Sequence, residues 1–153
     1  MPYKITKTLD SLQDTLALAA LIGSKLRGNE VIELVSDLGG GKTTFVKGIA
    51  KSAGSIDYIS SPSFTIRNDY KTRDFTIAHF DFYRLNDPGI MSDMLAEAIN
   101  DPATVVIIEW GAIVADVLPV DRISIKLNVR DINSRQAEIE IPNNYDYLYE
   151  VIK

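Results

Sequence analysis

The chain has 153 residues, of which 46% are hydrophobic and 24% are charged, and its formal net charge at pH 7 is −5. These proportions are typical of globular proteins, and the length suits a single domain, residues 1–153, with its own hydrophobic core. The absence of cysteine excludes disulfides and thiolate metal sites. Because an acidic chain is poorly suited to neutralising phosphates, we expect any role in nucleic-acid chemistry to run through partner proteins.

Membrane association is not expected from the hydrophobic patterning. No run approaches the ~18 consecutive apolar residues that a membrane-spanning helix needs. The first residues, Met1–Lys4, lack the apolar segment of a signal peptide. With the lack of cysteine, these features predict a cytoplasmic protein.

The N-terminal third predicts a strand, a helix and a second strand. Residues Tyr3–Thr8 alternate in polarity, and Asp10 is a good candidate for a helix N-cap. Apolar residues then recur every three or four positions from Leu12 to Leu26, as in an amphipathic helix that Gly28-Asn29 ends. The apolar-rich run Glu30–Val35 predicts a buried strand.

A glycine-rich segment follows this strand and precedes the predicted helix Thr43–Ala53. Residues Ser36–Thr43 match the P-loop pattern G-x-x-x-x-G-K-[ST] at every position except the first. Glycines allow backbone N–H groups to point at phosphate oxygens, Lys42 adds a positive charge, and the Thr43 hydroxyl can bind Mg²⁺. A serine at position 36 is compatible with this loop if its backbone stays in the β region. The order of strand, glycine loop and helix therefore predicts a phosphate-binding site.

The middle of the chain is rich in β-forming residues. Phe64–Tyr70 and Phe75–Tyr83 predict the two strands of a hairpin. Pro88–Asn100 predicts a helix, with proline tolerated in its first turn. The run Thr104–Trp110 is the most apolar of the chain, and its β-branched residues favour a central strand covered on both faces.

The C-terminal third completes the predicted fold. Arg122–Val129 and Arg135–Ile141 alternate and can pair as an antiparallel ribbon, followed by a short helix from about Tyr145. Together the elements predict an α/β, P-loop NTPase-like layered domain. Its sheet is expected to be mixed, mostly parallel and seven-stranded, with the antiparallel ribbon at the C terminus.

Two acidic residues are candidates for chemistry beside the glycine loop. Glu109 ends an apolar run, where P-loop sites have a second Mg²⁺ anchor, and carboxylate oxygen suits this cation. Asp81 lies between aromatic residues on an alternating run with His79, where it can orient water or hold Mg²⁺ through water. The alternatives are a solvent-exposed glutamate and a structural aspartate bonded to backbone. His79, the single histidine, cannot build a zinc site here, and we expect a packed or hydrogen-bonded imidazole.

Five blocks of sequence occur together over nearly the whole chain. They are Asp37–Phe45, Ser61–Thr65, His79–Leu85, Ile108–Trp110 and Leu118–Pro119. In order and spacing they resemble the TsaE (YjeE) family, the P-loop ATPase component of the bacterial machinery that makes threonylcarbamoyladenosine in tRNA. One block alone would be weak evidence, whereas five together are specific.

The resemblance implies roles for individual residues. It implies Mg²⁺ at Thr43 and Glu109, and activity that needs Asp81 and Trp110 as well as Lys42 and Glu109. Trp110 is a candidate for coupling the site to a partner, with a core role as the alternative. Ser61–Thr65 would act as a switch-like segment near the γ-phosphate. The residues expected to hold ATP or ADP are Asp37, Leu38, Gly39, Gly40, Gly41, Lys42, Thr43 and Thr44.

The resemblance also implies an activity and partners. We expect a weak or partner-activated, Mg²⁺-dependent ATPase that assists TsaB and TsaD in modifying the adenosine next to the anticodon, and that meets tRNA only through this complex. A P-loop small-molecule kinase and a non-catalytic, nucleotide-dependent binding module stay open as alternatives. A GTPase is disfavoured, because the nearest match to Asn-Lys-x-Asp, Asn128–Asp131, lacks the lysine.

Overall fold

The computed structural model describes residues 1–37, 39 and 41–153, which form one seven-stranded sheet and four α-helices. The predicted positions Leu38 and Gly40 lie outside the described residues. Within the described ranges, no helix is long and apolar enough to cross a membrane. The strands are β1 (Tyr3–Leu9), β2 (Val31–Val35), β3 (Arg67–Lys71), β4 (Thr76–Asp81), β5 (Thr104–Glu109), β6 (Ile123–Val129) and β7 (Arg135–Ile141). The α-helices are α1 (Leu12–Lys25), α2 (Lys42–Ser52), α3 (Ile90–Asn100) and α4 (Asp146–Ile152), and short 3-10 helices span Gly111–Val114 and Asn143–Tyr145.

The sheet has the strand order β1-β7-β6-β2-β5-β4-β3. The three central pairings, β6 with β2, β2 with β5 and β5 with β4, are parallel. The outer pairings are antiparallel, and β1 extends the ribbon of β6 and β7. The predicted mixed sheet of seven strands with a C-terminal ribbon is confirmed, and its parallel pairings lie in the middle. The carboxyl ends of β2, β4 and β5 therefore meet at one edge, where ligands bind in open α/β sheets.

Hydrophobic cores lie on both faces of the sheet. All six residues of β5 are buried, as predicted for a central strand. Ile107 packs in the core shared with α1, α2 and α4, whereas its neighbours Val106 and Ile108 pack in the core shared with α3. This alternation follows from the two-residue period of a strand.

The start of α1 differs from the prediction by one residue. Ser11, not Asp10, is the N-cap, and its side chain accepts a hydrogen bond from the Asp14 N–H at 3.1 Å. The Asp14 carboxylate in turn accepts from the Asp10 N–H at 3.0 Å. The prediction of Asp10 as cap was wrong because this reciprocal pair, similar to a capping box, places the serine at the cap.

The hairpin strands are shorter than predicted. β3 begins at Arg67 rather than Phe64, because Ile66 has φ 69° and its N–H donates to the Pro62 carbonyl at 2.6 Å. A left-handed backbone at a β-branched residue cannot continue a strand. β4 ends at Asp81 rather than Tyr83, whose N–H donates to the Asp81 carboxylate at 3.0 Å. Both departures involve residues that are hydrogen-bonded to Asp81, since the Ile66 carbonyl accepts from the Asp81 N–H at 2.8 Å.

A buried carboxylate fixes the connection from α1 to β2. Glu30 is fully buried and accepts hydrogen bonds from the backbone N–H groups of Arg27, Gly28 and Asn29 at 2.7, 2.9 and 3.1 Å. The Tyr147 hydroxyl also donates to it. Burial and the Glu30 carboxylate raise the pKa of the Tyr147 phenol. These bonds link the entry to β2 with α4.

Helices α1 and α2 pack closely at two glycines, Gly23 on α1 and Gly48 on α2. Substitution at these positions is expected to destabilise the fold. A Cβ at Gly23 would lie 2.1 Å from Ser52 Oγ and 2.3 Å from the Ile49 carbonyl oxygen. We expect Gly23→Ala to lower the free energy of unfolding by about 1–3 kcal/mol through overpacking, as measured by urea denaturation. The matched control is Ser24→Ala on the exposed side of α1, expected within about 0.5 kcal/mol of wild type. Equal stability of Gly23→Ala and wild type would contradict this close packing.

Candidate functional site

A cavity of about 310 Å³ opens at the sheet edge formed by the carboxyl ends of β2, β4 and β5. It brings together most of the residues predicted from the sequence. Asp37 does not line it, although the Asp37 carbonyl accepts a hydrogen bond from Lys42 Nζ at 3.4 Å. The lining residues are Gly39, Gly41, Lys42, Thr43, Thr44, Ser61, Ser63, Asp81, Glu109 and Trp110.

The two described glycines before α2 have backbone angles that suit a phosphate-binding loop. Gly39 and Gly41 have φ values of 78° and 99°, which disfavour other residues, and a Cβ at Gly39 would meet nothing within 4 Å. Gly41 is the N-cap of α2, and no side-chain hydrogen bond caps the helix. The first-turn N–H groups and the helix dipole therefore face the cavity with the polarity that an anion needs.

Ser36 is accommodated without strain where the P-loop pattern has glycine. Among the non-glycine residues that the structure describes, positive φ is confined to Ile66 and Trp110, so the Ser36 backbone has an ordinary negative φ. The Ser36 side chain donates to the Asp37 carbonyl at 3.1 Å, and the Ser36 carbonyl accepts from Lys42 Nζ at 2.9 Å. A serine at position 36 is thus compatible with the backbone at the start of the loop.

Lys42 is a largely buried cation at the floor of the cavity, with 7% of its surface exposed. Its Nζ lies 4.0 Å from Glu109 Oε1 and 4.8 Å from the centre of the Trp110 ring. A buried ammonium group is stable only where charges and hydrogen bonds compensate its lost hydration. Lys42 is therefore held at the cavity by backbone carbonyls, a carboxylate and an aromatic face.

Glu109 and Asp81 lie side by side at the ends of two parallel strands. They are register partners in the β4–β5 pair, with exposures of 3% and 4%. Glu109 Oε2 is 2.5 Å from His79 Nε2, and Oε1 is the oxygen nearer Lys42. Asp81 accepts from Ser63 Oγ at 3.0 Å. The expected alternative of a solvent-exposed Glu109 is wrong, and Asp81 has both a backbone and a side-chain donor.

The residues for a hard cation are present in the same cavity. Thr43 and Glu109 both line it and offer one hydroxyl and one carboxylate oxygen. Mg²⁺ in phosphate-binding sites commonly takes one or two such protein ligands, with the remaining positions filled by phosphate oxygens and water. The donor set therefore fits Mg²⁺ beside a phosphate.

Trp110 closes one side of the cavity in a strained conformation. Its φ of 57° and ψ of 51° are uncommon for a residue with a side chain, and a 3-10 helix begins directly after it. Its ring packs against Tyr83 with centroids 4.9 Å apart, and Tyr83 is 46% exposed. Trp110 thus connects the Lys42 ammonium group with an aromatic residue at the surface.

The Ser61–Thr65 segment is tied to Asp81 by a short chain of hydrogen bonds. Ser61 Oγ and Ser63 Oγ lie 2.7 Å apart, and Ser63 Oγ donates to Asp81. The Asp81 N–H donates to the Ile66 carbonyl at 2.8 Å. Phe64, in contrast, is 83% exposed. The segment therefore joins an acid in the cavity to an apolar side chain at the surface.

A second, smaller cavity of about 180 Å³ shares Gly41 and Thr44 with the first cavity. Sequence reasoning missed it, because its walls come from α1, α2 and the connection of β6 to β7. Arg135 Nη2 lies 3.5 Å from the Gly39 carbonyl oxygen, so this wall also contacts the glycine loop. The lining residues are Leu12, Thr15, Gly41, Thr44, Ile132, Asn133 and Arg135.

The contact of His79 with Glu109 was also missed, although a packed or hydrogen-bonded imidazole was expected. The two residues are 30 positions apart, and no local pattern joins them. The available signal was that both belong to strands that end at the same sheet edge. Pairing β4 with β5 in parallel would have brought them close.

By fold and by site the chain falls into the class of P-loop proteins. Strand β2, a glycine-rich loop and α2 follow one another in the order of that motif, and Gly39 and Gly41 have positive φ. The family model "Threonylcarbamoyl adenosine biosynthesis protein TsaE" matches residues 9–137. The chain therefore belongs to the TsaE family.

Individual relatives are similar in sequence or structure to this chain over most of its length. The tRNA threonylcarbamoyladenosine biosynthesis protein TsaE of Rickettsia felis is 37% identical over 133 residues, which are 86% of this chain and 77% of the relative. The protein of the same name from Bacillus subtilis is 30% identical over 139 residues, or 90% and 87% of the two chains. The crystal structure of Bacillus subtilis YdiB superimposes with a TM-score of 0.78 at 28% identity and covers 98% of this chain and 94% of that one.

Proposed function

We propose that this chain binds ATP with Mg²⁺ at the cavity at the sheet edge and hydrolyses it in support of tRNA threonylcarbamoyladenosine biosynthesis. Hydrolysis is slow in the isolated protein and faster in a complex with TsaB and TsaD. The observation that carries the proposal is the convergence of Lys42, Glu109 and Asp81 on the uncapped N terminus of α2. Membership of the TsaE family is the reason for assigning this activity to tRNA threonylcarbamoyladenosine biosynthesis.

The polyphosphate lies along the loop that precedes α2. Backbone N–H groups near Gly39 and Gly41 and those of the first turn of α2 donate to phosphate oxygens. Lys42 moves little to meet them, because its Nζ is already at the cavity. The Thr43 hydroxyl and the Glu109 carboxylate hold Mg²⁺, which when bound neutralises charge that develops on the phosphates.

The nucleoside is proposed to occupy the second cavity. Because this cavity shares Gly41 and Thr44 with the first, one extended ligand can reach both. Leu12 and Ile132 are 54% and 89% exposed, and burying their apolar surface against an aromatic base would be favourable. Asn133 adds polar groups for hydrogen bonds.

Asp81 is proposed to orient the attacking water, a role that explains slow hydrolysis in the isolated chain. The Asp81 carboxylate already accepts hydrogen bonds from Ser63 Oγ and the Tyr83 N–H. Its capacity for a further donor depends on the position of the Ser61–Thr65 segment. A partner that moves this segment can therefore raise the rate without adding a catalytic group.

The experiment that tests the proposal combines calorimetry with phosphate release. ATP is expected to bind the purified chain in the presence of Mg²⁺, and phosphate release is expected to rise when TsaB and TsaD are added. Binding without hydrolysis in either condition would favour the nucleotide-dependent binding module. Transfer of phosphate to a small-molecule acceptor without the partners would favour a kinase.

Substitution of Asp81 is expected to separate hydrolysis from binding. Asp81→Asn keeps the shape of the side chain and an oxygen that accepts from the Tyr83 N–H, while its NH₂ group can donate to Ser63 Oγ. The variant lacks the negative charge that would attract a proton of the water. We expect phosphate release in the presence of TsaB and TsaD to fall by about 10²-fold or more, with the Kd for ATP within about threefold of wild type. The matched control is Asp87→Asn, at an exposed aspartate in the connection from β4 to α3. A parallel loss of binding and turnover would contradict a role in orienting water.

A further inference from the structure

A fully buried imidazole lies directly behind the candidate Mg²⁺ ligand. His79, on β4, has no exposed surface. On one side its ring is 6.2 Å from that of Tyr70, and on the other its Nε2 is 2.5 Å from Glu109 Oε2. The histidine therefore lies between the β3 edge of the sheet and the cavity.

The strand register explains how the two side chains meet. His79 pairs with Ile107 on β5, and Glu109 is two residues further along the same strand. Side chains two residues apart lie on the same face, so the imidazole and the carboxylate are neighbours on the face that α2 covers. The contact is therefore built into the pairing of two central strands rather than into a loop.

Among the residues that the structure describes, Glu109 is the polar partner of this imidazole. Within the described residues, His79 Nδ1 is buried and has no hydrogen-bond partner. A buried polar ring is costly in an apolar core, and a residue such as leucine would avoid that cost. Since an ionised carboxylate can only accept, Nε2 carries the hydrogen and donates it to Glu109. One ring nitrogen thus makes a short bond while the other stays unused.

We infer that His79 is a positioning residue for Glu109. Its Nε2–H holds Oε2 and fixes the carboxylate so that Oε1, the oxygen 4.0 Å from Lys42 Nζ, is presented to a cation at the cavity. Such outer hydrogen bonds orient metal ligands, and their loss commonly costs 10- to 100-fold in metal affinity. This inference rests on the proposed binding of nucleotide with Mg²⁺ at the same site.

The test measures how strongly Mg²⁺ promotes nucleotide binding. The readout is the ratio of the Kd for ADP in EDTA to the Kd in saturating Mg²⁺, determined by calorimetry with no turnover involved. His79→Leu fills the space with an apolar side chain and is expected to reduce this ratio by about tenfold or more. The Kd in EDTA is expected to stay within about threefold of wild type. His79→Gln, which keeps an N–H donor at similar reach, is expected to restore much of the ratio.

The matched control removes a neighbouring polar group that does not touch Glu109. Tyr70→Phe deletes the hydroxyl that donates to the Ser60 carbonyl at 2.8 Å, and it is expected to leave the ratio unchanged. Equal losses of affinity with and without Mg²⁺ in His79→Leu would overturn the inference and indicate a structural histidine. A wild-type protein whose ADP binding ignores Mg²⁺ would overturn the proposed metal site itself, and the inference with it.

A second measurement uses the wild-type protein and does not depend on the folding of a variant. His79 is the single histidine of the sequence, so ¹⁵N labelling of histidine gives one imidazole spectrum. We expect the tautomer protonated at Nε2 in the ADP-bound protein, and a shift of this signal when Mg²⁺ is added. The shift is expected to be lost in Glu109→Gln. A ring protonated at Nδ1, or a signal that Mg²⁺ leaves unmoved, would refute the positioning role.

Discussion

Replacing Lys42 with alanine is expected to weaken ATP binding by about 10- to 100-fold and to remove hydrolysis with it. The Lys42 side chain lines the cavity and is only 7% exposed, and its Nζ lies 4.0 Å from Glu109 Oε1. Hydrogen bonds to charged groups contribute about 1.5–3 kcal/mol each, which corresponds to that range of affinity. Without the ammonium group, the negative charges of Glu109 and the phosphates would also repel each other at short range.

Calorimetry with ATP and Mg²⁺ measures this effect directly. The matched control is Lys47→Ala, which removes an exposed lysine from the same helix, α2, away from the cavity. We expect the Lys47 variant to bind like wild type, because exposed charges interact weakly through water. Undiminished ATP binding by a folded Lys42→Ala variant would exclude the loop before α2 as the phosphate site.

Replacing Glu109 with glutamine is expected to act on the Mg²⁺ dependence of hydrolysis. The substitution keeps the shape of the side chain but removes the anionic oxygen proposed as a metal ligand. We expect phosphate release in the presence of TsaB and TsaD to fall by about 100-fold at a fixed Mg²⁺ concentration, and to recover in part as Mg²⁺ is raised. Thermal unfolding should change far less, since glutamine keeps the shape of the side chain and its amide oxygen can still accept the hydrogen bond from His79 Nε2.

The control for this variant is Glu97→Gln on the exposed face of α3, which should leave both activity and its Mg²⁺ dependence unchanged. The outcome that speaks against the metal site is loss of the thermal transition in Glu109→Gln, because the glutamate would then be a structural residue. An unchanged Mg²⁺ requirement with normal folding would be equally inconsistent with direct ligation.

The parts of the fold that could be predicted are those with strong local signals. One short segment contains the glycine loop together with the strand before it and the helix after it. The apolar, β-branched run of β5 is typical of a buried strand. The placement of Glu109 beside that loop follows because parallel strands end at the same edge. The prediction of the site thus relied on sequence neighbours and one general rule of α/β sheets.

The features that could not be predicted depend on contacts between distant segments. The contact of His79 with Glu109 requires the register of β4 on β5, and the second cavity takes its walls from three separate parts of the chain. Ile66 has φ 69°, and its backbone is held by hydrogen bonds to Pro62 and Asp81. As a β-branched residue, isoleucine favours the strand that was predicted at this position. Tertiary contacts override the local preference at this position.

Departures from the locally preferred backbone conformation occur at residues next to the two acids of the cavity. Ile66 and Trp110, the non-glycine residues with positive φ in the described ranges, flank the two acids Asp81 and Glu109. Strained residues persist where the surrounding structure holds them, and they are frequent at functional sites. Ile66 directly follows the Ser61–Thr65 segment, and its carbonyl accepts from the Asp81 N–H. Trp110 directly follows Glu109 and lines the cavity.

The most direct test of the proposed role is a multiple-turnover assay of threonylcarbamoyladenosine formation on tRNA, with TsaB, TsaD and an excess of an activated threonylcarbamoyl donor. With this protein and ATP, product should exceed the amount of the TsaB–TsaD complex many times over. With Lys42→Ala in its place, or with the protein left out, we expect formation to stop at about one product per complex. Equal multiple-turnover formation with wild-type protein, with the Lys42 variant and without either would contradict a role for ATP binding and hydrolysis by this chain.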